Sequence, residues 1–230
     1  AVPLHPTIEP IGMQVMASMK IAATAALAAA SLAGAANAQE ASRWFVHVGP
    51  AFVEPDESAD MTAGGAPVPG ASVSIDGEWT AEVEVGYFLT PNVAIAAAGG
   101  FPPKFNVMAS GSLAALGKAG SMTGGPAGVM AQYHFNPEGR VQPYVGAGAS
   151  FLIVFDTEDG ALSDLKADSA VGTLLQGGAN FMVNERWGGF VDVKKAWVGT
   201  VAKANLGPTP VRAKVKVDPL VVNAGLTYRF

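Results

Sequence analysis

The charged side chains with the clearest chemical potential fall at alternating positions within apolar segments of the chain. Glu82 and Glu84 are separated by one valine, and so are Asp192 and Lys194. A spacing of two places both members of a pair on one face of a β-strand. If that face is buried, the carboxylates and the ammonium group must pair, because an unpaired buried charge is costly. We therefore expect an ion-paired network, and the alternative is a polar constriction that selects solutes.

Two histidines, His47 and His134, are the candidates for a metal ion or a proton relay. They fall on the first and fourth strands of the fold derived below, which face each other across the bore of an eight-stranded barrel. Zinc would need both imidazoles within about 2.1 Å of one ion, together with further ligands. The chain has no cysteine, which excludes disulfides and thiolate metal sites. We expect hydrogen-bonded histidines, no metal and no cofactor.

Nucleophilic catalysis would require a serine close to a histidine that acts as its base. Ser110 and Ser121 lie in a predicted loop region, whereas His47 and His134 lie inside predicted strands. No Ser/His/Asp grouping is therefore visible, and we expect that the protein is not an enzyme. The net charge is −5 and the sequence presents no basic patch, which argues against a nucleic-acid partner.

The N-terminal segment has the features of a secretory signal peptide. A short basic start at Met19-Lys20 precedes an apolar stretch over residues 21–34, and Ala36-Asn37-Ala38 forms a small-x-small cleavage site. The apolar stretch is shorter than the ~20 residues that a membrane-spanning helix needs. Residues 1–38 are therefore expected to be an N-terminal extension followed by a signal peptide that is cleaved after Ala38.

Residues 39–230 fit one domain and show a period-two alternation of apolar residues, which is typical of β-strands. Half of the chain is hydrophobic, yet no segment of this domain approaches the ~18 uninterrupted apolar residues of a transmembrane helix. An apolar belt made of alternate strand residues reconciles the two facts. The predicted strands span residues 43–53, 78–89, 93–102, 122–135, 141–155, 168–183, 187–201 and 211–230.

The connections between these strands alternate between long and short. Short turns occur at Thr90-Pro91-Asn92, at residues 136–139 and at residues 184–186, and long Gly- and Pro-containing segments separate the other strands. We expect a helical turn within residues 156–165. This order predicts an all-β fold: an up-and-down, antiparallel, eight-stranded transmembrane β-barrel with short periplasmic turns and long extracellular loops.

Aromatic residues mark the two edges of the expected apolar belt. Trp187 and Trp197 share one face of the seventh strand and lie ten residues apart. At ~3.3 Å per residue and a ~40° tilt they span about 25 Å, which is the height of the belt. On the last strand Leu226, Tyr228 and Phe230 share the apolar face. A final aromatic residue on that face resembles the assembly signal of outer-membrane barrels.

The opposite face of each strand should line the lumen. Many glycines and alanines share this face, and we expect them to leave space in the bore. The larger lumen-lining residues are Phe45, His47, Glu82, Glu84, Met130, Gln132, His134, Tyr144, Gln176, Asn180, Asp192, Lys194 and Arg229.

The outer loops form a second candidate site, because they carry apolar residues in segments that should be solvated. These residues either pack on each other as a cap or form a hydrophobic funnel that captures apolar solutes. Acidic loop residues such as Asp56 and Glu158 could bind divalent ions that bridge lipopolysaccharide, although solvated loop charge is the simpler interpretation. The funnel candidates are Val68, Met108, Leu113, Leu116, Leu162 and Leu165.

Pro102 and Pro103 end the predicted third strand. Proline has no amide hydrogen, so pairing with the neighbouring strand must fail locally at this position. We expect the barrel wall to open laterally there.

Several segments resemble the OmpW family of small outer-membrane proteins, in the family's order and over nearly the whole domain. They include Val48-Gly49-Pro50-Ala51, Tyr87 to Ala94, Met130 to Phe135, Gln142 to Gly148 and Gly225 to Phe230. The resemblance implies an eight-stranded barrel in the bacterial outer membrane, with neither catalytic residues nor a cofactor. It also implies a narrow lumen that passes small hydrophobic molecules and releases them sideways into the bilayer.

The sequence therefore predicts passive passage of small hydrophobic molecules, captured by the outer loops and released laterally. A sealed structural or adhesion barrel and a narrow ion-conducting pore are the alternatives. The expected partners are outer-membrane lipids and lipopolysaccharide, small hydrophobic solutes and the barrel-assembly machinery, with no nucleic acid.

Overall fold

The computed structural model describes residues 43–230, so the predicted signal peptide and its cleavage site lie outside the described residues. The strands are β1 (Trp44–Glu54), β2 (Ser58–Ala63), β3 (Ala66–Pro67), β4 (Ala71–Ile75), β5 (Glu78–Phe88), β6 (Val93–Gly100), β7 (Lys104–Gly111), β8 (Lys118–His134), β9 (Val141–Asp159), β10 (Ser163–Ala167), β11 (Ala170–Met182), β12 (Trp187–Trp197), β13 (Gly199–Leu206), β14 (Thr209–Lys216) and β15 (Leu220–Arg229). A 3-10 turn spans Ala114–Leu116. Within residues 43–230, no helix is long and apolar enough to cross a membrane.

Eight of these strands close into an antiparallel barrel in the order β1-β5-β6-β8-β9-β11-β12-β15. The closing pair joins β1 to β15, with Phe45 opposite Arg229 and Glu54 opposite Leu220. Closure removes the free edges that an open sheet would expose to lipid. The eight-stranded antiparallel barrel expected from the sequence is confirmed.

Burial alternates along the barrel strands, although the outer halves of β8 and β9 depart from this pattern. On β12, Asp192 and Lys194 are 2% and 4% exposed, whereas Val191 and Val193 are 48% and 43% exposed. Trp187 and Trp197 are also exposed at the two ends of this strand. The exterior is therefore apolar and the interior polar at the same heights, as the lipid-facing belt of a membrane barrel requires.

Several predicted strand boundaries were wrong. The third strand ends at Gly100, so Pro102 lies outside it. The fourth begins at Lys118 rather than residue 122, the fifth continues to Asp159 rather than residue 155, and the seventh ends at Trp197 rather than residue 201. The eighth begins at Leu220, because Pro219 cannot donate to a ladder and Asp218 takes a positive φ of 31°. The expected helical turn within residues 156–165 is absent from this described segment, where β9 continues to Asp159.

The long outer connections are themselves mostly β-structure. Strands β10-β13-β14-β2-β3 form a five-stranded sheet, and the β4–β7 pair extends the sheet beside β8. Apolar and charged residues alternate along β14, which explains why this connection forms a strand: Ala213 and Val215 are buried, while Arg212 and Lys214 are exposed. The buried residues pack in an outer apolar cluster with Met61 and other loop side chains.

Candidate functional site: a polar plug below an apolar chamber

Aromatic and imidazole rings fill the periplasmic half of the lumen. His47 stacks on Phe190, with ring centroids 4.3 Å apart and planes 13° apart. Tyr144 lies between the two histidines, with its centroid 6.0 Å from that of His47 and 5.0 Å from that of His134. Phe45 packs against both imidazoles. These buried rings leave little room for a solute in this half of the bore.

A buried ion-pair network lies next to the rings. The Lys194 ammonium is 2.6 Å from Glu82 Oε1, 2.9 Å from Asp192 Oδ2 and 3.4 Å from Glu84 Oε2. All four side chains are less than a tenth exposed. A buried ammonium that contacts three carboxylates is well compensated, and removing it would leave those carboxylates unpaired.

Amide side chains connect the carboxylates to each other. Gln176 Nε2 donates to Glu84 Oε2 at 2.9 Å and to Asp192 Oδ2 at 2.6 Å. Gln132 Nε2 donates to Glu84 Oε1 at 2.8 Å, and its Oε1 lies 3.2 Å from His134 Nε2. The connected residues come from six strands, so the network ties opposite walls of the barrel together and acts as a plug. We call this connected group the polar plug; its members are Glu82, Glu84, Gln132, Tyr144, Gln176, Asp192, Lys194 and Asn223.

Arg229 closes the periplasmic end of the lumen. Its Nη2 donates to Gln142 Oε1 at 2.6 Å, its Nη1 donates to the Pro137 carbonyl at 3.1 Å, and its guanidinium lies 4.9 Å from the Phe88 ring centroid. The remaining predicted lumen residues, Met130 and Asn180, are each 2% exposed inside the barrel. The structure therefore places every lumen candidate on the interior side.

The small residues of the lumen do not leave an open bore at this level. A Cβ added at Gly178 would lie 2.6 Å from Asp192 Cβ and 2.7 Å from the Tyr144 hydroxyl. A Cβ at Gly146 would lie 2.9 Å from Gln176 Oε1. These glycines make room for the large side chains of the residues paired with them on the neighbouring strands, which corrects the expectation that they leave free space.

One group of plug residues has the composition of a metal site. His47, Glu84 and Asp192 place one ligand atom each within 4.8 Å of one another. His47 Nδ1 is 3.3 Å from Glu84 Oε1, without the geometry of a hydrogen bond. The Lys194 ammonium already contacts both carboxylates of this group and supplies a cation there. Sequence reasoning paired His47 with His134 and missed this group, because strand spacing alone does not give contacts across a barrel.

An apolar chamber lies above the plug. A small pocket, with about 300 Å³ of space between atoms that includes open solvent, is lined by uncharged residues from five strands and two connections, among them Val53, Phe105, Met122 and Leu152. A second small pocket extends from Pro126 down to Glu82 and Lys194. Pro126 lines both cavities, so the two adjoin each other along β8. We call the upper cavity the apolar chamber.

The barrel wall beside the chamber has a gap in its ladder. Strands β6 and β8 pair as far as Gly99 opposite Ala127, and pairing with β8 resumes only at Lys104 of β7, opposite Thr123. Between these points the Gly124 amide donates to the Pro103 carbonyl at 3.1 Å. Residues 100–103 and 124–126 flank this interruption, which we call the wall gap. Pro102, Pro103 and Pro126 lie in it, and none of them has an amide hydrogen.

The apolar loop residues divide between the two interpretations made from the sequence. Val68 and Leu113 pack against the outer apolar cluster, as a cap would. Leu165 lies over Gly120, where an added Cβ would come within 2.5 Å of Leu165 Cδ2. Met108, Leu116 and Leu162 are half-buried on the outer strands and connections. Val68, Leu113 and Leu165 therefore pack against other side chains or backbone, whereas Met108, Leu116 and Leu162 remain partly accessible.

The last barrel strand presents its apolar face outward. Leu226 is 59% exposed, and Tyr228 packs on Trp187, with ring centroids 4.6 Å apart. Trp187 and Trp197, at the two edges of the apolar belt, are called the girdle residues. A closed antiparallel barrel with an aromatic-edged apolar exterior and a polar interior defines an outer-membrane β-barrel protein. The chain belongs to the OmpW family, whose model matches residues 40–230. It is therefore located in the bacterial outer membrane.

Individual relatives agree with this assignment. Outer membrane protein AlkL of Ectopseudomonas oleovorans is 32% identical over 175 residues, which cover 76% of each chain. The dibenzothiophene metabolism operon protein PahQ of Pseudomonas aeruginosa is 30% identical over 83% of this chain and 90% of its own. The crystal structure of OprG from Pseudomonas aeruginosa superposes with a TM-score of 0.78 at 24% identity, covering 83% of this chain and 97% of OprG, and so shows the shared fold.

Proposed function

We propose that this barrel passes small apolar molecules from the cell exterior into the outer membrane. The solute enters through the outer strands, occupies the apolar chamber and leaves sideways through the wall gap. The observation that carries this proposal is the position of the wall gap, which adjoins the chamber through Gly125 and Pro126. The polar plug lies on the periplasmic side of that exit.

The energetics favour the lateral route over the axial one. An apolar solute gains roughly 25 cal/mol for each Å² of apolar surface that it buries in the chamber or in lipid. Continuing along the axis would require separating Lys194 from its carboxylates and exposing the solute to charge. Breaking a buried pair of this kind costs about 3–5 kcal/mol. Opening the wall gap breaks few backbone hydrogen bonds, because three of its residues are prolines.

The relatives support an apolar cargo. PahQ is named for an operon of dibenzothiophene metabolism, and dibenzothiophene is a small aromatic molecule without ionisable groups. Capture by the loops is the finer part of the proposal and rests on Leu113, Leu116 and Leu162. We also propose that Leu226, Tyr228 and Phe230 engage the barrel-assembly machinery, because they occupy alternate positions and so share one apolar face.

The test is uptake of a hydrophobic fluorescent dye by cells that express the full chain. Gly125 lines the chamber, and a Cβ there would stand 3.6 Å from Pro103 Cδ, which leaves space for a side chain that fills the wall gap. Gly125→Phe should therefore abolish most of the dye uptake. Gly177→Phe is the matched control, since Gly177 is exposed on β11 and a Cβ there meets nothing within 4 Å.

Two further variants separate the alternatives. Replacing Leu113, Leu116 and Leu162 together by serine should lower uptake if the loops capture the solute. Tyr144→Ala should raise ion conductance through the plug without raising dye uptake. Dye uptake that follows Tyr144→Ala and ignores Gly125→Phe would show that the bore conducts. Uptake that ignores all the variants would favour a sealed structural or adhesion barrel.

A further inference from the structure

The outer face of the five-stranded sheet concentrates positive charge. Lys166 of β10, Lys203 of β13 and Arg212, Lys214 and Lys216 of β14 are all exposed. The whole chain has a net charge of −5, so the charge of this face is opposite in sign to that of the whole protein. It corrects the expectation from the sequence that no basic patch is present. We call it the cationic face.

The strand register places like charges directly opposite one another. Lys166 is opposite Lys203, and Lys203 is opposite Arg212, so three cations form one row across three strands. Like charges in directly opposed positions destabilise a sheet. The carboxylates on this face are Asp60, opposite Lys214, Asp168, whose Oδ2 is 3.7 Å from Lys203 Nζ, and Asp164, whose Oδ2 accepts a hydrogen bond from Asn205 Nδ2 at 3.0 Å. Five cations thus face three carboxylates, and the face keeps a net positive charge within the described chain.

The cations cannot avoid each other by turning inward. The alternate residues of the same strands, including Ala204, Ala213 and Val215, are buried against the rest of the protein. Burial of that side fixes the register, because a slip of one residue would exchange the two faces. The cationic face is therefore held toward the surroundings at a cost in repulsion, which an anionic ligand would remove.

The height of the face relative to the membrane identifies that ligand. Strand β13 begins at Gly199, two residues beyond the girdle residue Trp197, and Gly199 is opposite Lys216. Lys216 thus lies close to the level of the lipid headgroups. Lys214 and Arg212 follow on the same face in steps of about 6.6 Å, the rise of two strand residues. The positive charge runs outward from the membrane interface over about 13 Å.

We propose that the cationic face binds the phosphate groups of lipopolysaccharide in the outer leaflet. This glycolipid carries phosphates at the headgroup level and on the sugars just above it, which matches the rows of the sheet. Guanidinium and ammonium groups form charge-assisted hydrogen bonds with phosphate, and several such contacts act together on one molecule. The proposal depends on the outer-membrane location and is independent of any transported solute.

The experiment compares two triple variants of the refolded full-length barrel in lipid nanodiscs. In the first, Lys166→Gln, Lys203→Gln and Arg212→Gln remove the row. In the matched control, Arg43→Gln, Arg140→Gln and Arg186→Gln remove the same charge from exposed residues at the periplasmic end. Heat-modifiable gel mobility verifies that each variant is folded.

Binding of purified lipopolysaccharide is then measured by its effect on the unfolding midpoint and by direct titration. We expect the first triple to bind more weakly by a factor on the order of 100, since each basic residue near an anionic surface contributes roughly fivefold. The control triple should bind like the wild type, and binding should weaken with added salt. Equal binding by both triples would overturn the proposal. So would undiminished binding of dephosphorylated lipopolysaccharide, or equal binding of phosphatidylglycerol, which would assign the face to anionic lipid in general.

Discussion

The polar plug and the apolar chamber occupy the same bore but have opposite chemistry. In the plug, Lys194 and three carboxylates are held by amide donors, and little solvent reaches them. In the chamber, Val53, Phe105 and Met122 present hydrocarbon to the interior. One barrel scaffold therefore supports a seal and a binding space, and the side chains alone decide which is which.

The barrel walls around the plug and the chamber also differ, because one strand ladder is continuous and the other is interrupted. Beside the plug, β11 and β12 pair without interruption from Thr173 opposite Trp197 to Met182 opposite Gly188. Beside the chamber, the ladder between β6 and β8 stops after Gly99. A charged interior thus coincides with a continuous wall, and an apolar interior coincides with a broken one. This coincidence is what a lateral exit for apolar molecules requires.

The largest effect should come from breaking the plug. Lys194→Met leaves three buried carboxylates without their cation, and we expect it to lower the free energy of unfolding by about 3–5 kcal/mol. Lys203→Met is the matched control, because Lys203 and Asp168 form an exposed pair, with side chains 57% and 63% exposed. Loss of that pair should lower the free energy of unfolding by only about 0–1 kcal/mol. Denaturant titration of the folded barrel measures both, and equal costs would contradict the assignment of a buried plug.

A smaller effect should come from placing a charge on the outside of the same strands. Val191 lies next to the plug residue Asp192 but faces outward and is 48% exposed. Val191→Arg should cost about 2–4 kcal/mol, because it places a charge in the lipid belt. Val183 directly follows the periplasmic end of β11 and is 81% exposed. Val183→Arg should cost about 0–1 kcal/mol, since the penalty falls near the interface. Equal tolerance at the two sites in denaturant titrations would show that Val191 does not face lipid.

The sequence predicts the barrel better than it predicts the contacts inside it. Alternation is a local, two-residue signal, so it identified the eight strands and the inward position of residues such as Glu84 and Asp192. The contacts of the plug join residues far apart in the chain: Lys194 and Glu82 are 112 positions apart, and Gln176 and Glu84 are 92 apart. No local pattern contains that information.

The outer strands were missed for a related reason. Segments such as residues 54–71 are rich in Gly, Pro and acidic residues, which favour turns, and their strands are short. The cationic face was also invisible, because its residues come from β10, β13 and β14 and meet only through the register. Net charge sums over the chain and cannot reveal how charge is distributed on one sheet.

The smallest expected effect concerns an ion pair outside the membrane, the solvated counterpart of the plug. Lys104 Nζ is 2.6 Å from Glu158 Oε2, and both side chains are about half exposed, at 48% and 52%. The hydrogen bond and charge of Lys104 lower the pKa of the Glu158 carboxyl below its usual value. A lowered folded-state pKa means that the pair contributes stability above the ordinary carboxyl pKa and loses it as the pH falls through the lowered value.

Lys104→Met should therefore return the pKa of Glu158 toward its ordinary value, and it should reduce the small loss of stability on acidification. Carboxyl chemical shifts followed by NMR through a pH titration measure the first change. Unfolding midpoints at neutral and acidic pH measure the second. Lys118→Met, which removes a neighbouring cation with a weaker influence on Glu158, is the matched control and should shift the titration less. A Glu158 titration unchanged by Lys104→Met would show that the loop pair does not persist in solution, leaving the plug as the barrel's stable ion-pair network.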